Sequence, residues 1–245
     1  MPLLDHFHPP LRGPRRWEGF HHSWASNMAQ YLNREILPAD YFAESEISLG
    51  PNLEIDVASF ELKNDPAAGP GGSPTAVWAP PAPLLSFPID FSRLDVCEVR
   101  VYEELGGSQL RAAIELVSPA NKDRPGSRRT FAAKCAGYLR QAVSVVIIDV
   151  VTERNANLHA DLLDVLEVAQ AAWESPTRLC AISYRPIPMQ GEAKVEAWPE
   201  TLSLGAALPV VPLWLGPDLA FPLNLDESYE TTCAGLRIDV HSRRT

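Results

Sequence analysis

The chain has 245 residues, a formal net charge of −10 and a pI near 5.1, and 46% of its residues are hydrophobic. These values are typical of a folded globular protein, so wholesale disorder is excluded. The acidic excess also argues against nonspecific coating of nucleic acid, which requires many Lys and Arg side chains to neutralise phosphates. At this length a single domain over residues 1–245 is expected.

Neither a membrane span nor an export signal is predicted. No apolar run reaches the roughly 18 residues that a spanning helix needs, and the segment MPLLDHFHPP lacks an apolar centre. We therefore expect a cytoplasmic protein with no membrane partner. The cysteines are far apart and form no CxxC pair, so reduced and mostly buried thiols are expected at Cys97, Cys135, Cys180 and Cys233.

The first third of the chain predicts a helix, two strands and an insertion. Apolar residues at helical spacing predict a helix over residues 20–36, which ends before Pro38. Strands are predicted over residues 41–49 and 53–60, with a Gly-Pro-Asn turn signal between them. Residues 64–83 are rich in Pro and Gly and predict an irregular insertion.

The middle of the chain predicts a strand–helix–strand unit. Strands over residues 96–102 and 109–117 flank a Gly-Gly hairpin signal. A helix over residues 128–142 follows, and the largely apolar run of residues 143–151 is typical of a strand covered on both faces. Two strands joined by such a helix pair in parallel through a right-handed crossover, which places this unit at the centre of a mixed sheet.

The remaining elements complete the fold prediction. A helix is predicted over residues 158–173 and a strand over residues 178–184. Residues 185–245 are Pro-rich and predict an extended C-terminal region with a short terminal helix. The predicted class is α/β, or α+β, with a mixed central sheet flanked by helices and a core over roughly residues 20–184.

Two carboxylates interrupt otherwise apolar predicted strands, Asp56 in LEIDV and Glu115 in AIELV. Burying a bare carboxylate is costly, so each acid needs a partner, a metal or a place at a cleft. If the strands are neighbours, about 4.8 Å apart, both side chains can converge on one Mg²⁺ and so activate water beside a phosphate. A salt bridge or an edge position is the alternative for either acid alone.

A family resemblance adds to this pattern. The segment IELVSPANK (residues 114–122), then Lys134, Tyr138-Leu139 and the run ending at Asp149 resemble the bacterial "domain of unknown function 4058" family. That family is grouped with the PD-(D/E)XK, or restriction-endonuclease-like, nucleases. Motifs near both chain ends extend the resemblance over nearly the whole chain: Trp17, Phe20, His21, Leu37, Pro38 and Tyr41 in the first part, and Pro212, Leu213, Asp218, Pro222, Leu223, Asp226 and Tyr229 in the last.

The resemblance implies a restriction-endonuclease-like core, a four-stranded mixed sheet flanked by helices, with the motif Asp…Glu-x-Lys. Asp56 and Glu115 correspond to the acids that hold a divalent metal, with Mg²⁺ expected, Mn²⁺ as a substitute and no organic cofactor. Val117 stands where the motif has its lysine, which assists the attacking water. Lys134 is favoured as the replacement because it lies on the inward stripe of its predicted helix, and the loop residue Lys122 is the alternative.

The residues that follow Glu115 carry a local excess of positive charge. Between residues 122 and 140 six basic residues stand against the single acid Asp123, a balance of +5. If nucleic acid binds, contact is expected on this segment, chiefly at Arg124, Arg128, Arg129 and Arg140.

Two functions from different classes remain open at this stage. The first is a metal-dependent phosphodiesterase acting on DNA or RNA, with Asp56, Glu115 and either Lys134 or Lys122 at its centre. The second is a catalytically inactive nuclease-like module that binds nucleic acid or a protein partner, which the acidic pI and Val117 favour. A homodimer stays open, and Asp149 is either a supporting acid or a turn former.

Overall fold

In a computed structural model, the described residues of the chain form a seven-stranded mixed sheet flanked by helices, with a two-stranded hairpin packed beside it. The order of the sheet is β1-β2-β4-β5-β6-β7-β3. The structure describes residues 1–12, 17–45, 57–62, 81–89, 108–168, 173–189 and 193–238.

The elements, in chain order within each class, have these bounds. The helices are α1 (Trp17–Tyr31), α2 (Pro119–Asp123), α3 (Pro125–Arg140), α4 (Leu158–Val165) and α5 (Leu225–Gly235), with a π-helical turn at Leu32–Ile36. The strands are β1 (Tyr41–Glu44), β2 (Val57–Leu62), β3 (Leu85–Ile89), β4 (Ser108–Leu116), β5 (Ser144–Asp149), β6 (Leu179–Pro188), β7 (Ala193–Leu202), β8 (Val210–Trp214) and β9 (Ala220–Asn224).

The predicted mixed sheet with its central parallel unit is confirmed. β4 and β5 pair in parallel, with α3 as the connection, while β1, β2 and β6 add antiparallel neighbours. All six residues of β5 are buried, as its largely apolar sequence predicts. Successive residues of β6 mark the two faces of the sheet, because Tyr184 contacts α4 and Ser183 donates a hydrogen bond to Pro212 in β8.

Several element boundaries differ from the sequence prediction. The loop predicted after β4 contains the short helix α2, and the side chain of Asn121 accepts a hydrogen bond from the Ser118 N–H at its start. α3 begins at Pro125 rather than at residue 128, since Pro is favoured in the first turn of a helix. α4 ends at Val165 rather than at residue 173, and Glu167 takes a left-handed φ of 57° just beyond it.

The sheet continues beyond the predicted core boundary at residue 184. β6 runs to Pro188, and β7 pairs with it along its whole length. β3 was not predicted from the sequence. It pairs with β7 and is the last of the described strands in the sheet order. Strands at such an edge position tolerate proline, and β3 contains Pro88. The C-terminal region therefore contributes part of the central sheet rather than only an extension.

The N-terminal segment packs on the last helix. The Leu4 N–H donates to the Tyr229 hydroxyl at 3.0 Å, and His6 Nε2 lies 2.8 Å from the same oxygen. Trp24 on α1 donates its indole N–H to Ser228 on α5 at 3.0 Å. These bonds join residues more than 200 positions apart, so α1 and α5 complete the core together.

The described cysteines agree with the prediction of reduced thiols. Cys135 and Cys233 are buried, Cys180 is half-buried, and all three are free. Cys97 lies outside the described residues, as does the predicted strand over residues 96–102. None of the described helices combines the length and the apolar character that a bilayer span requires.

Candidate functional site

The sheet face that packs on α3 carries two acidic side chains on neighbouring strands. Glu115 in β4 is the Cα partner of Ile147 in β5, and Asp149 lies two residues further along β5. Paired residues of adjacent strands project to the same face, and so do residues two apart along a strand. Glu115 and Asp149 are therefore close neighbours on one face.

Glu115 forms a buried ion pair with Lys134. The Lys134 ammonium donates a hydrogen bond to Glu115 Oε2 at 2.7 Å, and only 1% of the Glu115 side chain and 6% of the Lys134 side chain are exposed. The ammonium also lies 5.5 Å from the centre of the Phe131 ring. Of the two candidate lysines, it is thus Lys134 that contacts Glu115.

Asp149 forms a second buried ion pair, with Lys122. The Lys122 ammonium donates to Asp149 Oδ2 at 2.8 Å, and the Val151 N–H donates to Oδ1 at 3.0 Å. Burial raises the pKa of the Asp149 carboxyl, and the hydrogen bonds from Lys122 and Val151 oppose that rise. Lys122 is therefore not an exposed loop residue, and it ties α2 to the end of β5.

The predicted metal site is described only in part. Asp56 lies outside the described residues, and the first described residue of β2, Val57, is the Cα partner of Ile114, which precedes Glu115. Within the described ranges, no group of three or more His, Cys, Asp or Glu side chains comes together. The assignment of Asp56 and Glu115 as metal ligands stays a prediction.

The basic segment presents less free positive charge than its sequence suggests. Lys122 and Lys134 are buried in ion pairs, which leaves the four arginines as the basic residues of this segment that reach the surface. Arg128 pairs with Asp161 at 3.2 Å and Arg124 with Asp123 at 3.3 Å, while Arg129 is exposed and Arg140 is half-buried. The four arginines predicted to contact nucleic acid thus line α3 and its start, partly balanced by acids.

His159 on α4, which was not singled out from the sequence, is a further buried polar residue beside this face. Only 3% of the residue is exposed, and its Nδ1 lies 2.6 Å from the hydroxyl of the buried Tyr184. A signal was present, because His159 shares a helical stripe with Leu162, Leu163 and Leu166. A polar ring at such a position has to meet a partner inside the protein.

Stability is expected to fall sharply between pH 7 and pH 5. Burial lowers the pKa of His6 and of His159 from 6.5 to about 4. Below pH 6.5 the unfolded chain therefore binds two protons that the folded chain excludes until the pH approaches 4. At pH 5 this lowers the free energy of unfolding by about 2 kcal/mol for each histidine. Urea denaturation at the two pH values measures the change.

A variant separates this effect from general acid unfolding. His6→Gln removes one of the two titrating rings, so about half of the loss between pH 7 and pH 5 should disappear. An unchanged loss in His6→Gln would contradict the assignment of the pH dependence to the buried imidazoles.

Comparison of the chain with protein-family models, with curated proteins and with solved structures yields no match. The resemblance of residues 114–122 to a nuclease-like family therefore stays an expectation from the sequence.

Proposed function

We propose that the chain is a Mg²⁺-dependent phosphodiesterase of the PD-(D/E)XK type that acts on nucleic acid. The observation that carries the proposal is the buried contact at 2.7 Å between Lys134 Nζ and Glu115 Oε2. It places a carboxylate and an ammonium together on a central strand and the helix that follows it. These are two of the three groups that the family motif requires.

The fold supports a restriction-endonuclease-like core. β1, β2 and β4 form an antiparallel run, β5 joins β4 in parallel, and helices flank this four-stranded part. That is the arrangement which the family resemblance implies. Val117, at the motif position of the lysine, is fully buried and donates its N–H to Ile148. A lysine supplied by α3 is consistent with the loss of one at residue 117.

The chemistry would divide among three side chains. Glu115, together with Asp56, would hold Mg²⁺, which when bound supplies positive charge beside a phosphate and an activated water. The hydrogen bond from Lys134 orients the Glu115 carboxylate. The same ammonium adds positive charge where a phosphate oxygen gains negative charge during attack. The apolar surroundings strengthen this interaction by excluding water.

The second candidate is a catalytically inactive nuclease-like module that binds nucleic acid or a protein. The observation in its favour is that both lysines near the site are committed to buried ion pairs. In such a module the Glu115–Lys134 pair would only hold α3 against the sheet.

Cleavage assays with metal titration distinguish the two candidates. Single- and double-stranded DNA and RNA are incubated with Mg²⁺ or Mn²⁺, and Mg²⁺ binding is followed by calorimetry. The proposal expects cleavage of at least one substrate, with none when EDTA removes the metal. Absence of both cleavage and Mg²⁺ binding would favour the inactive module.

Nucleic-acid binding is expected to depend on α3. Replacing Arg128 and Arg129 with Ala should weaken binding and flatten its salt dependence, by about one unit of log–log slope for each phosphate that is no longer neutralised. Fluorescence anisotropy with a labelled oligonucleotide at several salt concentrations measures both. Arg34→Ala is the matched control, because its side chain is 74% exposed and lies beyond α1. Equal binding by the double variant and the wild type would place the nucleic-acid interface elsewhere.

A further inference from the structure

A buried histidine of α1 contacts the end of β4. His21 is 4% exposed, and its Nε2 lies 2.7 Å from the carbonyl oxygen of Leu116. A carbonyl oxygen only accepts hydrogen bonds, so Nε2 carries the proton and His21 is the donor. Leu116 is the last residue of β4 and directly follows Glu115. The imidazole therefore bonds to the main chain beside the carboxylate of the candidate site.

The peptide unit that joins Leu116 to Val117 is held on both sides. Its N–H, from Val117, donates to the Ile148 carbonyl of β5 at 2.9 Å. In a trans peptide the C=O and the N–H point in opposite directions. The Leu116 carbonyl therefore points away from β5, toward the side of β4 on which β2 lies, and His21 contacts it there. Together the two hydrogen bonds fix the direction in which the chain leaves β4 after Glu115.

The imidazole is itself held in place by its neighbours. Its ring is stacked on that of Trp17, one helical turn earlier on α1, with ring centres 5.3 Å apart and planes inclined by 28°. Trp17 packs in turn against Phe7, with ring centres 4.7 Å apart. A buried ring in such packing has little freedom to move. The position of the donor is thus determined by α1 and the N-terminal segment.

Glu115 is constrained at two points. Lys134 on α3 donates to its carboxylate at 2.7 Å, and His21 on α1 holds the main chain one residue further on. The ammonium alone can follow a carboxylate that shifts with its strand, because a lysine side chain is flexible. The bond from the imidazole holds the strand end itself. Such support matters in a catalytic arrangement, where a displacement of about 1 Å can lower the rate about a hundredfold.

We propose that His21 is a positioning residue of the candidate site, which sets the direction of the Glu115 carboxylate through its hydrogen bond to the Leu116 carbonyl. The positioning of Glu115 follows from the contacts of His21. Its consequence for Mg²⁺ rests on the proposed function, in which Glu115 is a metal ligand. His21 acts through the main chain and takes no direct part in the reaction at the phosphate.

Two variants separate the hydrogen bond from the packing of the ring. His21→Phe keeps an aromatic ring against Trp17 and removes the donor. His21→Gln keeps an N–H donor, because the amide nitrogen of Gln is the same number of bonds from the main chain as Nε2 of His. His22→Phe is the matched control, since it makes the same substitution at the next position of α1 and leaves the bond to Leu116 in place.

Nuclear magnetic resonance of the metal-free protein tests the positioning. His21→Phe should shift the ¹³Cδ resonance of Glu115 and speed hydrogen exchange of the Val117 amide about tenfold. His21→Gln and His22→Phe should leave both close to the wild type. Faster exchange with an unchanged Glu115 resonance would show that His21 only stabilises the fold, and equal changes in His21→Gln would assign the effect to packing. Either result would overturn the proposal, as would an unprotonated Nε2 of His21 in the wild type.

Calorimetry with Mg²⁺ tests the consequence for the metal. Residues that orient a metal ligand typically contribute about 10- to 100-fold to metal affinity. His21→Phe should therefore bind Mg²⁺ about tenfold more weakly, and His21→Gln should restore most of the affinity. Unchanged affinity in His21→Phe would overturn this inference and retain the proposed function. A wild type that binds no Mg²⁺, together with the expected change at Glu115, would retain the positioning by His21 and reject the proposed function.

Discussion

Glu115→Gln is expected to abolish metal-dependent cleavage, with a loss of at least about a hundredfold. Replacing a residue that only hydrogen-bonds to a metal ligand typically lowers metal affinity or activity about 10- to 100-fold. Loss of a ligand itself should therefore lower activity by at least as much. Gln has nearly the size of Glu but lacks the negative charge that a hard cation requires. The measurement is the initial rate on the best substrate of the wild type, at saturating Mg²⁺. Asp56→Asn is expected to produce a comparable loss.

The buried ion pair makes a stability control necessary. Glu115→Gln leaves the Lys134 ammonium buried opposite a neutral amide, which is expected to cost about 3–5 kcal/mol of unfolding free energy. The double variant Glu115→Gln/Lys134→Met removes both charges, so most of that stability should return while cleavage stays absent. Cleavage at the wild-type rate by either variant would show that Glu115 is not part of the active site.

Lys122→Met is expected to lower the free energy of unfolding by about 3–5 kcal/mol, a large share of the stability of an ordinary domain. The reason is that the Asp149 carboxylate, 4% exposed, would lose the ammonium that lies 2.8 Å from it. Urea denaturation followed by tryptophan fluorescence measures the change. The loss should be smaller at low pH, because burial favours the protonated carboxyl once its partner is gone.

Two further variants show whether burial is the cause. Arg124→Met breaks the ion pair with Asp123, but the Arg124 side chain is 81% exposed, so a change of no more than about 1 kcal/mol is expected. Lys122→Met combined with Asp149→Asn removes both buried charges, and the Asn carbonyl can still accept from the Val151 N–H. This double variant should be more stable than Lys122→Met alone. A loss in Arg124→Met as large as that in Lys122→Met would contradict the explanation.

The centre of the fold was predictable because its sequence pattern favours a buried strand–helix–strand unit. Residues 143–151 are largely apolar, which suits a strand covered on both faces, and the helical stripe before them indicates the crossover. β7 and β3 were missed because both contain proline, at Pro199 and Pro88, which weakens a strand prediction from sequence. Their pairing depends on tertiary neighbours that a local pattern does not specify.

The candidate site, like the fold, was only partly predictable from the sequence. A lysine at an inward helical position suggests a carboxylate partner, and Lys134 does contact Glu115. The partner of Lys122 was not predictable, because a loop residue and the end of a strand 27 positions away share no periodicity. His159 lay within a detectable stripe, but the stripe does not indicate which strand supplies the partner Tyr184.

The packing of the N-terminal segment and α1 against α5 sets the order in which the molecule can form on the ribosome. Leu4, His6 and Trp24 form hydrogen bonds with Tyr229 or Ser228. These two partners are synthesised more than 200 residues later. Until α5 emerges from the exit tunnel, the part of α1 that contacts Tyr229 and Ser228 is uncovered. Chains interrupted before residue 225 are therefore expected to expose this apolar surface, a feature that promotes aggregation and degradation.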